Sequence, residues 1–341
     1  MAVSVKLGKT LYTEVQRLFN RHFGNNANEI EPLTSHGSDR IILRMRSSGS
    51  ESAIGIINHN AAENRAFIAF NGHFRKFGLN VPEIFDKTSD DFSYLMEDLG
   101  DTTLLKKISE CRNSSSADEE KKLYFSAIEA LPEFQVKAGR SVDFSYCYQF
   151  NEFGEENIRH DINYFSERFL SQYYKEKINK IELGKDYDCL IKKLLVAERK
   201  NFLYRDFQSR NIMIKEGKLF FIDFQSGRRG ALLYDIASLL YDARANIPQY
   251  DREKYIEHYI DTVGYHVNID KSLYRDQFWY FAIIRIIQAL GAYGYLGLVK
   301  GKSRFLDSIP LALRNICYIF DNKIETGNFP YLRKIFSEIT T

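Results

Sequence analysis

The chain has 341 residues, 44% hydrophobic and 27% charged, the composition of a soluble globular protein long enough for one large domain or two lobes. A formal net charge of +2 gives no electrostatic footprint for nucleic acid. Cys111, Cys147, Cys189 and Cys317 stand far apart with no C-x-x-C, which excludes zinc ribbons and dithiol redox motifs and leaves reduced thiols of a cytoplasmic protein as the expectation.

Residues 11–23 carry Leu11, Val15, Leu18, Phe19 and Phe23 on one helical face and predict an opening amphipathic helix. The segment EIEPLTSHGSDRIILRMRSS reads as strand, tight turn and strand, the turn falling at His36-Gly37-Ser38. SAIGIIN, 52–58, makes a third strand. Residues 61–78 hold Phe67, Phe70 and Phe74 at helical spacing, with Gly78 as a stop. Two more strands follow in VPEIFDKTSDDFSYLMEDLG. The first 98 residues therefore form a small lobe, a sheet of about five strands with one inserted helix.

From residue 99 to 341 the pattern is helical. Helices are expected over 120–138, 155–177 and 186–200, then a short strand pair, then helices over 233–243, 251–262 and 271–296. Ser116 and Asp118 are candidate caps. The apolar run FAIIRIIQAL is broken by Arg285 and is too short to span a bilayer, and the N-terminus lacks the apolar core of a signal peptide. The expectation is a soluble protein with no membrane partner. The histidines show no metal-ligand spacing. Residues 300–341 carry no motif, although Tyr331–Phe336 is apolar enough to pack.

Chemistry concentrates in YRDFQSRNIMI, 204–214, and FFIDFQ, 220–225. Asp206, Asn211 and Asp223 lie between two apolar runs, and carboxylates avoid such places unless they are paired or bind a cation. Taken alone, Asp206 and Asn211 suit turn caps. Together with Asp223 and the strand-turn-strand setting, they suit phosphoryl transfer. One carboxylate orients the attacking hydroxyl and takes its proton. Magnesium keeps several waters, so one carboxylate and one amide oxygen suffice beside the phosphates. Asp235, in the helix that follows, is read as a brace that accepts backbone N–H groups of the catalytic loop.

These residues resemble the phosphotransferase enzyme family, the aminoglycoside phosphotransferase and choline kinase-like group. The resemblance rests on Asp206, Asn211 and Ile222-Asp223-Phe224-Gln225, then Gly230 and Tyr234-Asp235-Ile236-Ala237-Ser238-Leu239-Leu240-Tyr241-Asp242. Within the group the closest likeness is to the anomeric kinases of N-acetylmuramate and N-acetylglucosamine. It implies an α+β, protein kinase-like bilobal fold, ATP bound between the lobes, Asp206 as catalytic base and Asn211 and Asp223 as Mg2+ ligands. It also implies a hinge at Met96-Glu97-Asp98-Leu99-Gly100, with the backbone near Glu97 and Leu99 meeting adenine.

Two positions depart from the family pattern. The usual loop histidine is Tyr204. The strand-three lysine is missing, with Ile57 and Asn58 where it would stand. Glu63 is the candidate helix glutamate. Arg40 and Arg44 are four apart on one strand face, and one of them is expected to supply charge to the phosphates. A turn at His36-Gly37-Ser38-Asp39 stands where a phosphate-covering loop belongs.

The expected acceptor is a small molecule, a sugar on the strength of the 222–242 match. Asp161 is a candidate contact for its hydroxyls, and Arg210 and Arg228 for an anionic group on it. Aromatics in 144–165 are core or sugar platform. An aminoglycoside or choline-type kinase is the rival within the same chemistry. A nucleotide-binding pseudokinase is the rival outside it.

Overall fold

The structure is a computed structural model that describes residues 2–34, 39–114, 116–174 and 176–340, with side chains from residue 12 onward. Of the expected phosphate-covering turn, His36, Gly37 and Ser38 lie outside the described residues. The chain divides into two compact units. The first comprises Met1–Thr103, Val142–Gln149 and Asn211–Ser226, and the second Leu104–Ser141, Phe150–Arg210 and Gly227–Thr341. The first unit is thus discontinuous, whereas the change of pattern after residue 98 marks a single cut.

The first unit opens with α1 (Ala2–Phe23), which begins well before the predicted residue 11. The strands are β1 (Glu29–Leu33), β2 (Ile41–Arg46), β3 (Ser52–Ile57), β4 (Ile84–Lys87) and β5 (Ser93–Glu97). They form one sheet in the order β1-β2-β3-β5-β4, every pair antiparallel. Val15, Leu18 and Phe19 of α1 are buried against Leu43, Met45, Ala53, Ile57 and Leu95 of the sheet. Gly55 permits this approach, because a Cβ there would stand 3.0 Å from Val15 Cγ1. Between β3 and β4 runs α2 (Ala61–Lys76), capped by the Asn60 side chain, with Phe67, Phe70 and Phe74 buried as their spacing predicts.

Also in this unit is the hairpin of β7 (Ile212–Lys215) and β8 (Lys218–Phe221). Its two-residue loop is Glu216-Gly217, with φ of 51° and 74°. Positive φ at both central residues gives a turn whose twist matches the paired strands. The hairpin carries Asn211 at one end and Asp223 at the other.

The second unit is mostly helical. Its helices are α3 (Leu104–Asn113), α4 (Ala117–Pro132), α5 (Glu155–Phe165), the single turn α6 (Ser171–Tyr173), α7 (Lys180–Leu195), α8 (Leu233–Leu240), α9 (Gln249–Gly264), α10 (Lys271–Gly294), α11 (Ile309–Asn322) and α12 (Pro330–Thr340). Wider π-helical turns follow α4, α5 and α10. The expected helix over 155–177 is therefore broken at Ser166–Leu170. A short antiparallel pair, β6 (Asn201–Leu203) with β9 (Arg228–Gly230), leads into the loop that begins at Tyr204. The helices α3, α11 and α12 were not expected. In the tail, α12 buries Leu332, Ile335 and Phe336.

The apolar run around Arg285 belongs to a helical stretch, Lys271–Val299, that is long and apolar enough to cross a membrane. This corrects the reading that it is too short. Two-thirds of its apolar window, 67%, is buried inside the protein, so it is a core helix of this unit. It passes α5 and the following π turn through small residues. A Cβ on Gly291 would stand 2.8 Å from Tyr164 Cδ1, and one on Gly294 would overlap the Arg168 carbonyl oxygen. Gly294→Ala is therefore expected to destabilise the protein by about 1–3 kcal/mol, because a backbone atom cannot yield as a side chain can. Gly184→Ala on α7, where nothing lies within 4 Å of the new Cβ, should instead stabilise by about 0.5–1 kcal/mol. Urea midpoints of the two variants measure the difference, and equal shifts would refute the close-approach argument.

Candidate active site

In the first unit, Asp223 is the hub. It sits just past β8 at φ 71°, a left-handed conformation rare outside glycine and common at strained functional positions. Its Oδ1 accepts from Arg40 Nη2 at 2.7 Å and from Gln225 Nε2 at 2.9 Å. Its Oδ2 accepts from Asn211 Nδ2 at 3.2 Å. The Asn211 main-chain carbonyl holds the Ile222 N–H at 3.1 Å, which ties the two ends of the hairpin together.

Arg40 stands just before β2, with its Nε 3.8 Å from Glu63 Oε1 in the first turn of α2. It therefore stands between Glu63 of α2 and Asp223. Burial works against its charge, but Asp223, Tyr94 and Glu63 together hold the guanidinium pKa above its ordinary value. Tyr94, which no pattern in the sequence singles out, is buried and contributes to that pull.

Arg44 has a different task. Its guanidinium is nearly inaccessible and donates to Asp101 Oδ1 at 2.7 Å, Asp98 Oδ1 at 3.1 Å and the Gly100 carbonyl at 3.1 Å. Asp98 also accepts from Ser52 Oγ at 2.6 Å and from the Gly100 N–H at 2.9 Å. Burial pushes the Asp98 carboxyl up, but Ser52, Gly100 and Arg44 outweigh it and hold it below the usual range. Arg44 thus clamps segment 98–101 to β2. The Glu97 side chain is also committed. It accepts from Lys215 Nζ at 2.7 Å and from the Glu83 N–H at 3.2 Å. Lys215 reaches the Asp98 carbonyl at 3.2 Å as well.

These groups border a cavity of about 210 Å³. Its apolar wall includes Ile42, Ile54, Met96, Leu99, Met213 and Ile222, and Arg40 and Asp223 lie at its rim. An apolar cavity ending at charged groups suits a flat ring with an anionic tail. Among the described residues no cluster of three His, Cys, Asp or Glu side chains forms a metal site. The hard-oxygen set is one carboxylate, Asp223, beside one amide, Asn211. That pairing fits an ion which keeps several waters and takes further ligands from phosphates.

In the second unit, Asp206 follows Tyr204 and Arg205. Tyr204 is fully buried, so it packs in the core under the loop. Arg205 has φ 80°. Its Nη2 donates to both Asp161 oxygens, at 2.7 and 2.8 Å, and its Nη1 to the Tyr234 hydroxyl at 2.5 Å. Asp235 accepts the Tyr204 N–H at 2.8 Å, the Arg205 N–H at 2.9 Å and Gln135 Nε2 at 2.7 Å. The expected brace is therefore present, with Gln135 as a member that sequence gave no sign of. Complete burial pushes the Asp235 carboxyl up to about 7 against the pull of its three donors. Asp206 is half-buried at the end of this framework.

Two expected acceptor contacts are corrected. Asp161 is 3% exposed and both its oxygens serve Arg205, a pairing 44 residues apart that no spacing announces. Arg228 is 2% exposed on β9, donates to Asn157 Oδ1 at 2.6 Å and lies over the Phe150 ring. Its alternation with exposed Arg229 is that of a strand with one buried face. Arg210 is half-buried beside Asn211 in sequence.

A family model described as the phosphotransferase enzyme family matches residues 38–267, more than half of the chain. An N-acetylmuramate/N-acetylglucosamine kinase of Neisseria meningitidis is 29% identical over 177 residues, 48% of this chain and 47% of that protein. A kinase of the same name from Pseudomonas aeruginosa is 25% identical over 226 residues, 65% of this chain and 62% of that protein. The chain thus spans less than two-thirds of either relative. A third, from Pseudomonas putida, is 24% identical over 83% of this chain and 81% of its own length. Among solved structures, a Plasmodium vivax ethanolamine kinase aligns with TM-score 0.60 at 13% identity, covering 87% of this chain and 84% of its own. A spectinomycin phosphotransferase bound to ADP and spectinomycin aligns with TM-score 0.58 at 12% identity, covering 96% and 98%. These likenesses place the chain in the α+β, protein kinase-like fold.

Proposed function

The chain belongs to the phosphotransferase enzyme family, whose members transfer phosphate to hydroxyl acceptors, and from that premise we propose that it moves the γ-phosphate of ATP to a hydroxyl of N-acetylmuramate or N-acetylglucosamine. The observation that carries the reading is the 210 Å³ cavity lined by Arg40 and Asp223, with Glu63 beside Arg40 and Asn211 bonded to Asp223. The purine would lie against Ile42, Met96, Leu99 and Met213, and Arg40 would meet the phosphates. Asn211 and Asp223 would hold Mg2+, which supplies charge neutralisation at the transferring phosphoryl group. Asp206 would orient the acceptor hydroxyl and take its proton. Catalysis then rests on positioning and electrostatics.

The test is phosphorus NMR of mixtures of the protein with magnesium-ATP and N-acetylglucosamine, N-acetylmuramate, kanamycin or choline. A sugar 1-phosphate signal is the expected result. Transfer only to kanamycin or choline would discard the sugar acceptor and keep the site. Binding of ATP with no transfer to any of them would favour a pseudokinase.

Arg40→Met should raise the KM for ATP about tenfold or more, the scale of losing a charge-assisted contact of about 1.5–3 kcal/mol. Arg40→Lys should recover part of it. An unchanged KM in the Met variant would remove Arg40 from the nucleotide site.

A further inference from the structure

One face of the small sheet builds the cavity described above. β2 pairs Ile42 with Ile56 of β3, and β3 pairs Ile56 with Tyr94 of β5, so the three side chains form one cross-strand row. Arg40 stands two residues before Ile42, and strand alternation puts it on the same face. All four line the cavity. Within the row Tyr94 alone brings a polar side-chain atom.

Tyr94 is 1% exposed. Its ring stacks on Phe67 of α2 with centroids 5.5 Å apart, and Phe67 stacks on Phe224 at 4.8 Å and 13°. Phe74 closes the column edge-on against Phe224 at 5.2 Å. Phe224 directly follows Asp223, so one aromatic column carries Tyr94 at one end and adjoins Asp223 at the other. The stack and the cavity wall need only a phenyl ring. A hydroxyl in such a place is costly unless it is bonded, and this one accepts a hydrogen bond from Arg40.

The three partners of Arg40 differ in kind. Glu63, at 3.8 Å, and Asp223, at 2.7 Å, supply negative charge. Glu63 is itself held, because its Oε2 accepts from Asn58 Nδ2 at 2.9 Å. Burial pushes the Tyr94 phenol pKa up, so the group stays neutral. A neutral acceptor fixes the direction of a guanidinium without cancelling its charge. Because the donors of a guanidinium form a rigid fork, one bond at its edge sets the plane of the rest.

We propose that Tyr94 is a positioning residue for the nucleotide phosphates, its hydroxyl holding the Arg40 guanidinium in the orientation that meets them. The proposal rests on the ATP reading above.

The experiment measures binding of magnesium AMP-PNP, a non-hydrolysable ATP analogue, and of adenosine to the native protein, Tyr94→Phe, Arg40→Met and the double variant. Calorimetric titration gives the dissociation constants, and melting curves accompany it. Tyr94→Phe keeps the ring and its stack and removes only the hydroxyl. It should weaken AMP-PNP binding about fivefold, the scale of one net hydrogen bond. Adenosine binding should not change, because adenosine carries no phosphate. In the Arg40→Met background the same substitution should change neither constant. In turnover, the KM for ATP should rise with kcat little changed. Equal weakening of AMP-PNP and adenosine would make Tyr94 a wall of the base pocket and overturn the proposal. Equal weakening of AMP-PNP with and without Arg40 would make it a structural residue and overturn it as well. Unchanged AMP-PNP binding in Tyr94→Phe would overturn it and leave the nucleotide reading standing. A native protein that binds neither AMP-PNP nor adenosine would overturn both.

Discussion

Asp206→Asn is expected to lower kcat by about a thousandfold, within the range of 10²–10⁴ that a positioned general base contributes. The substitution keeps shape and removes only the ability to hold a proton as a carboxylate does. The KM for ATP should change little, since the proposed nucleotide contacts belong to other residues. Stability should also hold. Asp206 is half-buried, and the loop beneath it is carried by Asp235 through the Tyr204 and Arg205 N–H groups. Steady-state kinetics with a melting curve on the same sample read both quantities. Activity within tenfold of native, in a folded sample, would remove Asp206 from the role of base.

The larger structural effect belongs to Arg205. Arg205→Met should destabilise the protein by about 3–5 kcal/mol, because it leaves the Asp161 carboxylate buried without a counter-charge. The left-handed backbone at residue 205 is not the cause, since methionine meets the same strain there as arginine. Arg205 also loses contacts with the Tyr234 hydroxyl and with the faces of Tyr234 and Phe153. Burial opposes its charge, but Asp161 and Tyr234 hold the guanidinium pKa above its ordinary value. The double variant Arg205→Met with Asp161→Leu should recover most of the loss, because it removes both charges together. Urea unfolding of the native protein, both single variants and the double variant closes the cycle. Additive losses would mean that the pair is not coupled, and the framework proposed under the catalytic loop would fail with it.

Arg205 also shows where sequence reading stops. Its neighbourhood to Asp206 was visible, but its partner was not. Asp161 looked available for an acceptor because it lies in FGEENIRHDINYF, part of the aromatic-rich segment 144–165 that could line an acceptor cleft. Only the packing of α5 beside the loop turns it inward. Arg228 is a similar case, since a charged pair at 228–229 looks solvated until one of the two proves to face a strand interior. Arg40 and Arg44 were equal candidates by spacing. The sheet brings one to Glu63 and Asp223 and gives the other to Asp98 and Asp101. The helical tail was more legible than its lack of a motif suggested, because Leu332, Ile335 and Phe336 carry the period of one helical face.

The sequence by itself determined what depends on near neighbours. It contained the helical faces of α1 and α2, the strands of the small sheet, the D-x-x-x-x-N spacing, Asp223 after its strand and the bracing role of Asp235. Each of these is a pattern within a few residues, where backbone geometry alone dictates which side chains share a face. Tertiary structure decided what depends on charge partners far along the chain. It gave Arg40 to Asp223 across 183 residues, Arg205 to Asp161 across 44, and Gln135 to Asp235 across 100. It also gave Arg285 to Ser238 across 47 residues. Burial makes each buried charge need a particular partner, and only the fold decides which group stands close enough to answer.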